Sequence, residues 1–184
     1  MKNLILSTFT LIGLFVITTG KTQTTLSSTK KRMNTNNREF AKQVFTAIQK
    51  NDEALWISLH PTEKEYKSLL QLMLAANMDG LTQQKIDEIV EQRKKEYVAE
   101  YKKELHNLHA EAARRGVSWA NSVYQEFDNE AAYPDNFPKK YLNGDIWFAG
   151  KNGYFIIEGI EAVETDNGYK LQSVRGIRQV EESY

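Results

Sequence analysis

From Glu39 onward, apolar residues recur three and four apart, and after Gly116 the pattern changes to short β-prone runs. Phe40, Ala41, Val44, Phe45 and Ile48 share one side of a helical turn, which predicts a first amphipathic helix ending near Asn51-Asp52. A short second segment carries Leu55, Trp56 and Leu59 and is interrupted at His60-Pro61. Thr62, with Glu65 three residues later, reads as a capping box opening a helix through Leu69, Leu70, Leu72, Met73 and Leu74, which Asn77 to Gly80 ends. Thr82 caps a long helix with the stripe Ile86, Ile89, Val90, Tyr97, Tyr101, Leu105, Leu108 and Ala112, stopping near Gly116. Asp87, Glu88 and Glu91 come early in it and Arg114-Arg115 last, the order that suits the helix dipole, so its charged face reads as solvated.

The β part reads as Val117 to Phe127, a loop holding Pro134 and Pro138, then segments near Asp145 to Gly150, Tyr154 to Glu164 and Tyr169 to Val180. Asn152-Gly153 and Asn167-Gly168 are the dipeptides of two-residue type I′ hairpins. Placing each pair at a tip sets Trp147 opposite Glu158, Ile160 opposite Arg175 and Ala162 opposite Ser173. One face then holds Asp145, Trp147, Ile156, Glu158, Ile160, Leu171, Ser173, Arg175 and Ile177. The other holds Ile146, Phe148, Phe155, Ile157, Val163, Gln172 and Val174. The expected fold class is α+β, with N-terminal helices packed on an antiparallel sheet of about four strands.

Composition narrows the function classes. The 184 residues are 41% apolar and 26% charged, with Lys+Arg 24 balancing Asp+Glu 24, which argues against a disordered tail and against steering of nucleic acid or a strongly charged substrate. Lys2 precedes an apolar run from Leu4 to Ile17, and Thr18-Thr19-Gly20 supplies small residues, so residues 1–20 read as a cleaved signal peptide. That run is shorter than the roughly 20 residues that cross a bilayer. Lys21 to Asn37 is Thr, Ser, Lys and Asn with almost no apolar side chain and reads as a flexible leader, leaving 38–184 as a single folded domain. The expectation is an exported, periplasmic or secreted, soluble protein without a membrane anchor after signal removal. There are no cysteines, so neither disulfides, thiol chemistry nor a cysteine-linked lipid can serve it.

Helices followed by a meander, with Gly144-Asp145-Ile146-Trp147-Phe148, Asn152-Gly153-Tyr154 and Asn167-Gly168-Tyr169-Lys170-Leu171, resemble small exported bacterial proteins of the nuclear transport factor 2-like (SnoaL-like, cystatin-like) superfamily. Pro61-Thr62-Glu63-Lys64-Glu65-Tyr66 and Gly116-Val117-Ser118-Trp119 are similar to that group's third helical segment and strand entry. The likeness spans Glu39 to Val180. It implies a strongly curved, cone-like sheet around the long helix, ligand binding at the open end in some members, and homodimers formed through the sheet. Enzymatic members carry an Asp or His base and a Tyr or Asp oxyanion donor inside the cone, and this chain matches no such set residue by residue.

The candidate chemistry is sparse. His106 and His109 are three apart on the long helix and can share a metal, but helical phase puts both at the border of the apolar stripe, as boundary residues. His60 reads as a ring packed over a helix junction, and Trp56 and Trp119 read as core. No HExxH, phosphate loop or nucleophile elbow is present, and no cofactor is assigned. The candidate binding residues are Trp147, Glu158, Ser173 and Arg175: facing a cavity, the guanidinium would clamp an anion while Trp147 stacks; facing solvent, Glu158 and Arg175 are an ordinary ion pair. The expected function is a non-catalytic exported domain binding a small ligand or a partner. The alternatives are a SnoaL-like isomerase or hydro-lyase, with Glu158 as base and Arg175 as anion binder, and a partner-binding module using the long helix or a sheet edge.

Overall fold

Helix boundaries follow local capping chemistry. The computed structural model describes residues 35–77, 80–132 and 137–180. Helix α1 spans Thr35–Lys50, α2 Glu53–Leu59, α3 Glu63–Ala75 and α4 Gln83–Arg114. Asp52 caps α2 by accepting the Leu55 N–H at 3.0 Å, and Thr82 caps α4 by accepting that of Lys85 at 3.2 Å. The box at α3 forms as expected: Thr62 Oγ1 accepts from Glu65 N, and Glu65 Oε2 accepts from Thr62 N at 2.9 Å.

Helix α1 begins earlier than its apolar pattern. The expected signal peptide and residues 21–34 of the expected leader lie outside the described residues, but Thr35, Asn36 and Asn37 form the first turn of α1. Asn37 is buried, and its Nδ2 donates to Asn129 Oδ1 on β1 at 3.0 Å. A polar side chain that composition assigns to solvent is thus held by a tertiary contact.

A 3₁₀ turn, Trp119–Asn121, occupies the start of the segment expected to be a strand from Val117. Strand β1 is Val123–Ala132, followed by β2 Tyr141–Gly150, β3 Gly153–Thr165, β4 Gly168–Ser173 and β5 Gly176–Gln179. The order is β1-β2-β3-β4, all neighbours antiparallel, and β5 continues along β3 beyond β4, so the expected last strand is two. This is an α+β fold: among the described residues, four helices, then a curved, unclosed antiparallel sheet.

Both Asn-Gly hairpins form, one residue away from the expected tips. Gly150 pairs with Gly153 and Thr165 with Gly168, so the two-residue loops are Lys151-Asn152 and Asp166-Asn167. Positive φ falls on Gly153 (122°) and Gly168 (98°) and on neither Asn, so these are not type I′ turns; glycine takes the left-handed position that closes each loop. Trp147 accordingly faces Ile156 instead of Glu158, and Ala162 faces Leu171 instead of Ser173.

Three bulges then overturn the expected faces. Gln125 is an extra residue in β1, and Gln172 is one in β4. In β3, Glu158 and Gly159 together oppose Asp145, with Gly159 at φ 63° and its N–H donated to Asp145 Oδ1 at 2.8 Å. Each insertion reverses the alternation beyond it. Ile146, Phe148, Phe155 and Ile157 therefore share the inner face with Ile160, Ala162, Leu171 and Ile177, from which the sequence separates them. Ile160 and Arg175 are not partners, because the pairing of β3 lapses between β4 and β5.

The inner face meets Phe40, Val44, Phe45 and Ile48 of α1, Trp56 and Leu59 of α2, and Tyr101, Leu105, Leu108 and Ala112 of α4. Rings fill its centre: Phe148 lies 5.5 Å from Phe45, 5.4 Å from Trp119 and 5.5 Å from Phe155 between centroids. A smaller cluster, Leu70, Ile86 and Val90 with Tyr66 and Met73, joins α3 to the first half of α4.

Candidate functional site on the outer face of the sheet

The helices bury their apolar side chains on the inner face, and the opposite face carries a different chemistry, row by row. Val123, Ala149 and Tyr154 lie side by side across β1, β2 and β3, with Val123 58% and Tyr154 51% exposed. The next row is Glu126, Trp147, Ile156 and Arg178. Beyond it Asp128 sits directly opposite Asp145, and Glu130 opposite Asn143. Glu126, Asp128 and Glu130 are exposed, alternate along β1, and have no ion-pair partner among the described residues. A strand ending at Phe127 leaves Asp128 and Glu130 in the following loop, so the sequence pattern does not group them with Glu126; an inward Phe127 between outward acids is the signal that extends the strand.

The four residues expected to form a site are placed as follows. Trp147 is half-buried between Glu126 and Ile156. Glu158 pairs through Oε2 with Arg178 Nε at 2.9 Å, not with Arg175. Ser173 donates to Glu161 Oε2 at 2.9 Å. Arg175 is exposed; its backbone N–H donates to the Glu158 carbonyl and its side chain lies over Gly159. The four therefore do not converge on a cavity, because the bulges at Gly159 and Gln172 turn Glu158 and Ser173 outward while Leu171 and Ile177 stay in the core. Gly159 and Gly144, isolated glycines within β-type runs, were the readable sign of such irregularities.

Tyr141 also donates to Glu161 Oε2, at 3.3 Å. Burial pushes the Tyr141 phenol well above its ordinary value, and the neighbouring Glu161 carboxylate pushes the same way. Both hydroxyls are thus committed to one carboxylate, an arrangement that positions side chains and does not present a nucleophile to open space.

On the helical side, His60 is buried, with Nδ1 2.9 Å from the Trp56 carbonyl, its ring stacked on Tyr101 at 3.6 Å, and Nε2 facing Glu104 at 3.4 Å. His106 contacts Glu53 at 3.1 Å, whereas His109 stacks on Trp119, so the two ligand candidates of α4 turn to different neighbours. Burial, and then the charge of His106, hold His109 below the usual imidazole range. Among the described residues no three His, Asp or Glu are grouped to hold a metal ion, and no helix is long and apolar enough to cross a membrane. Arg93 lies over the Tyr66 ring, reaches the Tyr101 hydroxyl and lines the small groove between α3 and α4.

Compared with protein-family models, with curated proteins and with solved structures, the chain has no match in any of the three.

Proposed function

We propose that this chain is a non-catalytic interaction domain whose working surface is the outer face of the sheet together with its β1 edge. One observation carries the reading: the inner face is filled by packed rings, while the outer face leaves Val123 and Tyr154 exposed beside Trp147. Adjacent exposed apolar side chains rimmed by polar ones mark a contact surface. The order of helices before a curved sheet supports the nuclear transport factor 2-like relationship, and the polar-flanked apolar run at residues 4–17 supports export.

The test places a photo-crosslinking phenylalanine at Val123 or Glu130, and at Lys103 on the exposed side of α4 as the comparison. Adducts formed in the native cell from the two sheet positions, and not from Lys103, are expected. Equal yields at all three positions, or adducts from Lys103 alone, would remove the outer face from consideration. The N-terminal mass of the purified protein tests the export reading, which predicts loss of residues 1–20.

A further inference from the structure

We infer that the β1 edge accepts an extended basic segment of a partner protein, added as a further antiparallel or parallel strand with Lys or Arg at alternate positions against Glu126, Asp128 and Glu130. This rests on the sheet being the working surface. Among the described residues β1 pairs with β2 alone, which leaves its other edge for a further strand, with the Phe127 carbonyl already accepting from Asn129 Nδ2 at 3.1 Å. Past the Gln125 bulge the register runs without interruption from Glu126 to Ala132, enough ladder for a strand of ordinary length.

Charge selects the occupant. Side chains on one face of an added strand also alternate, and they stand roughly 5 Å from their cross-strand neighbours, within reach of ion pairing. Charges of either sign guard an edge against aggregation. Here all three are carboxylates on one face, and Asp128 additionally opposes Asp145, a like-charge pair that destabilises the isolated sheet. A cationic strand relieves that repulsion. A second copy of β1 would instead set acids against acids, so the partner is a different, basic chain.

The experiment follows the backbone amides of the intact protein by NMR during titration with a capped peptide, Thr-Lys-Val-Lys-Val-Lys-Thr. Shift changes confined to Glu126 to Ala132, with new protection of alternate β1 amides from exchange, are expected. Binding should weaken when salt is raised from about 50 mM to about 300 mM. The combined variant Glu126→Gln, Asp128→Asn, Glu130→Gln should bind roughly tenfold more weakly without a lower denaturation midpoint, because the three exposed pairs lost are those with the peptide, while relief of the Asp128–Asp145 repulsion can only raise the stability of the free protein.

Equal binding by a peptide with its three lysines contiguous, or by the triple variant, overturns the inference. If a peptide with Thr for each Lys protects β1 equally well, the edge remains the working surface and the basic partner is wrong. If no peptide alters β1 while crosslinks from Val123 persist, the strand-addition inference fails and the outer-face reading stands. If both readouts are negative, both fail.

Discussion

Asn167, at the tip of the β3–β4 hairpin, donates a 2.9 Å hydrogen bond to Oε1 of Glu65, the residue that closes the α3 capping box. Thr165 Oγ1 donates to the same oxygen at 3.2 Å, and Lys170 Nζ stands 3.9 Å from Oε2 and bonds the Ser58 carbonyl at 2.9 Å. One carboxylate, its side chain 10% exposed, thereby joins the start of a helix to a hairpin 102 residues away. A local capping signal has become the anchor between the helical layer and the far end of the sheet.

Replacing it has a pH signature. Burial works to raise the Glu65 carboxyl, but hydrogen bonds from Asn167 and Thr62 and the charge of Lys170 outweigh it and hold the group below its ordinary value of 4.5. A carboxyl lowered on folding contributes stability that is present above the unfolded value and lost as pH falls through the folded one. Glu65→Gln should cost about 1–2 kcal/mol near neutral pH, with the gap to the native protein narrowing below about pH 4.5. Urea denaturation at the two pH values measures this; a gap that does not change with pH would show that the charge is irrelevant.

The β3 bulge requires glycine. Gly159 has φ 63°, and a Cβ there would lie 2.7 Å from Arg175 Cβ. Gly168, at φ 98°, has open space around it. Gly159→Ala should therefore destabilise by about 1–3 kcal/mol, and by more than Gly168→Ala, which meets backbone strain alone. Equal losses would mean that the contact with Arg175 is immaterial.

Gly144 acts through proximity. A Cβ on it would lie 2.3 Å from the Asp128 carbonyl oxygen and 2.8 Å from Asn129 Cα, both backbone atoms of the neighbouring strand. Gly144→Ala should force β1 away from β2, at about 1–3 kcal/mol. Amide exchange should show protection lost from the β1–β2 ladder and kept between β2 and β3.

Core and outer face should respond differently. Phe148→Ala removes a fully buried ring touching Phe45, Trp119 and Phe155 and should cost about 3–5 kcal/mol. Glu158→Gln loses a pair with Arg178, whose side chain is 47% exposed, and should change stability by no more than about 1 kcal/mol. A larger loss at Glu158 would revive the idea that it is buried in a pocket.

What the chain states about itself is local. Asp52, Thr62 with Glu65, and Thr82 begin three helices through atoms no more than a few residues apart, and the stripe from Ile86 to Ala112 faces the interior because helical phase requires it. Asn152-Gly153 and Asn167-Gly168 likewise announce two reversals, since glycine relieves the steric cost of positive φ wherever it occurs.

The sheet's faces and edges came from tertiary structure alone. Gln125, Gln172 and the Glu158-Gly159 pair are single insertions, invisible to a period-two count, and each reverses the side chains that follow it. Which register wins depends on burying Ile160, Ala162 and Leu171 against helices far earlier in the chain, a global energy that neighbours along the chain do not contain. The same holds for Glu126, Asp128 and Glu130: their alternation is written in the sequence, but only the strand order sets them on a strand that, among the described residues, pairs with β2 alone.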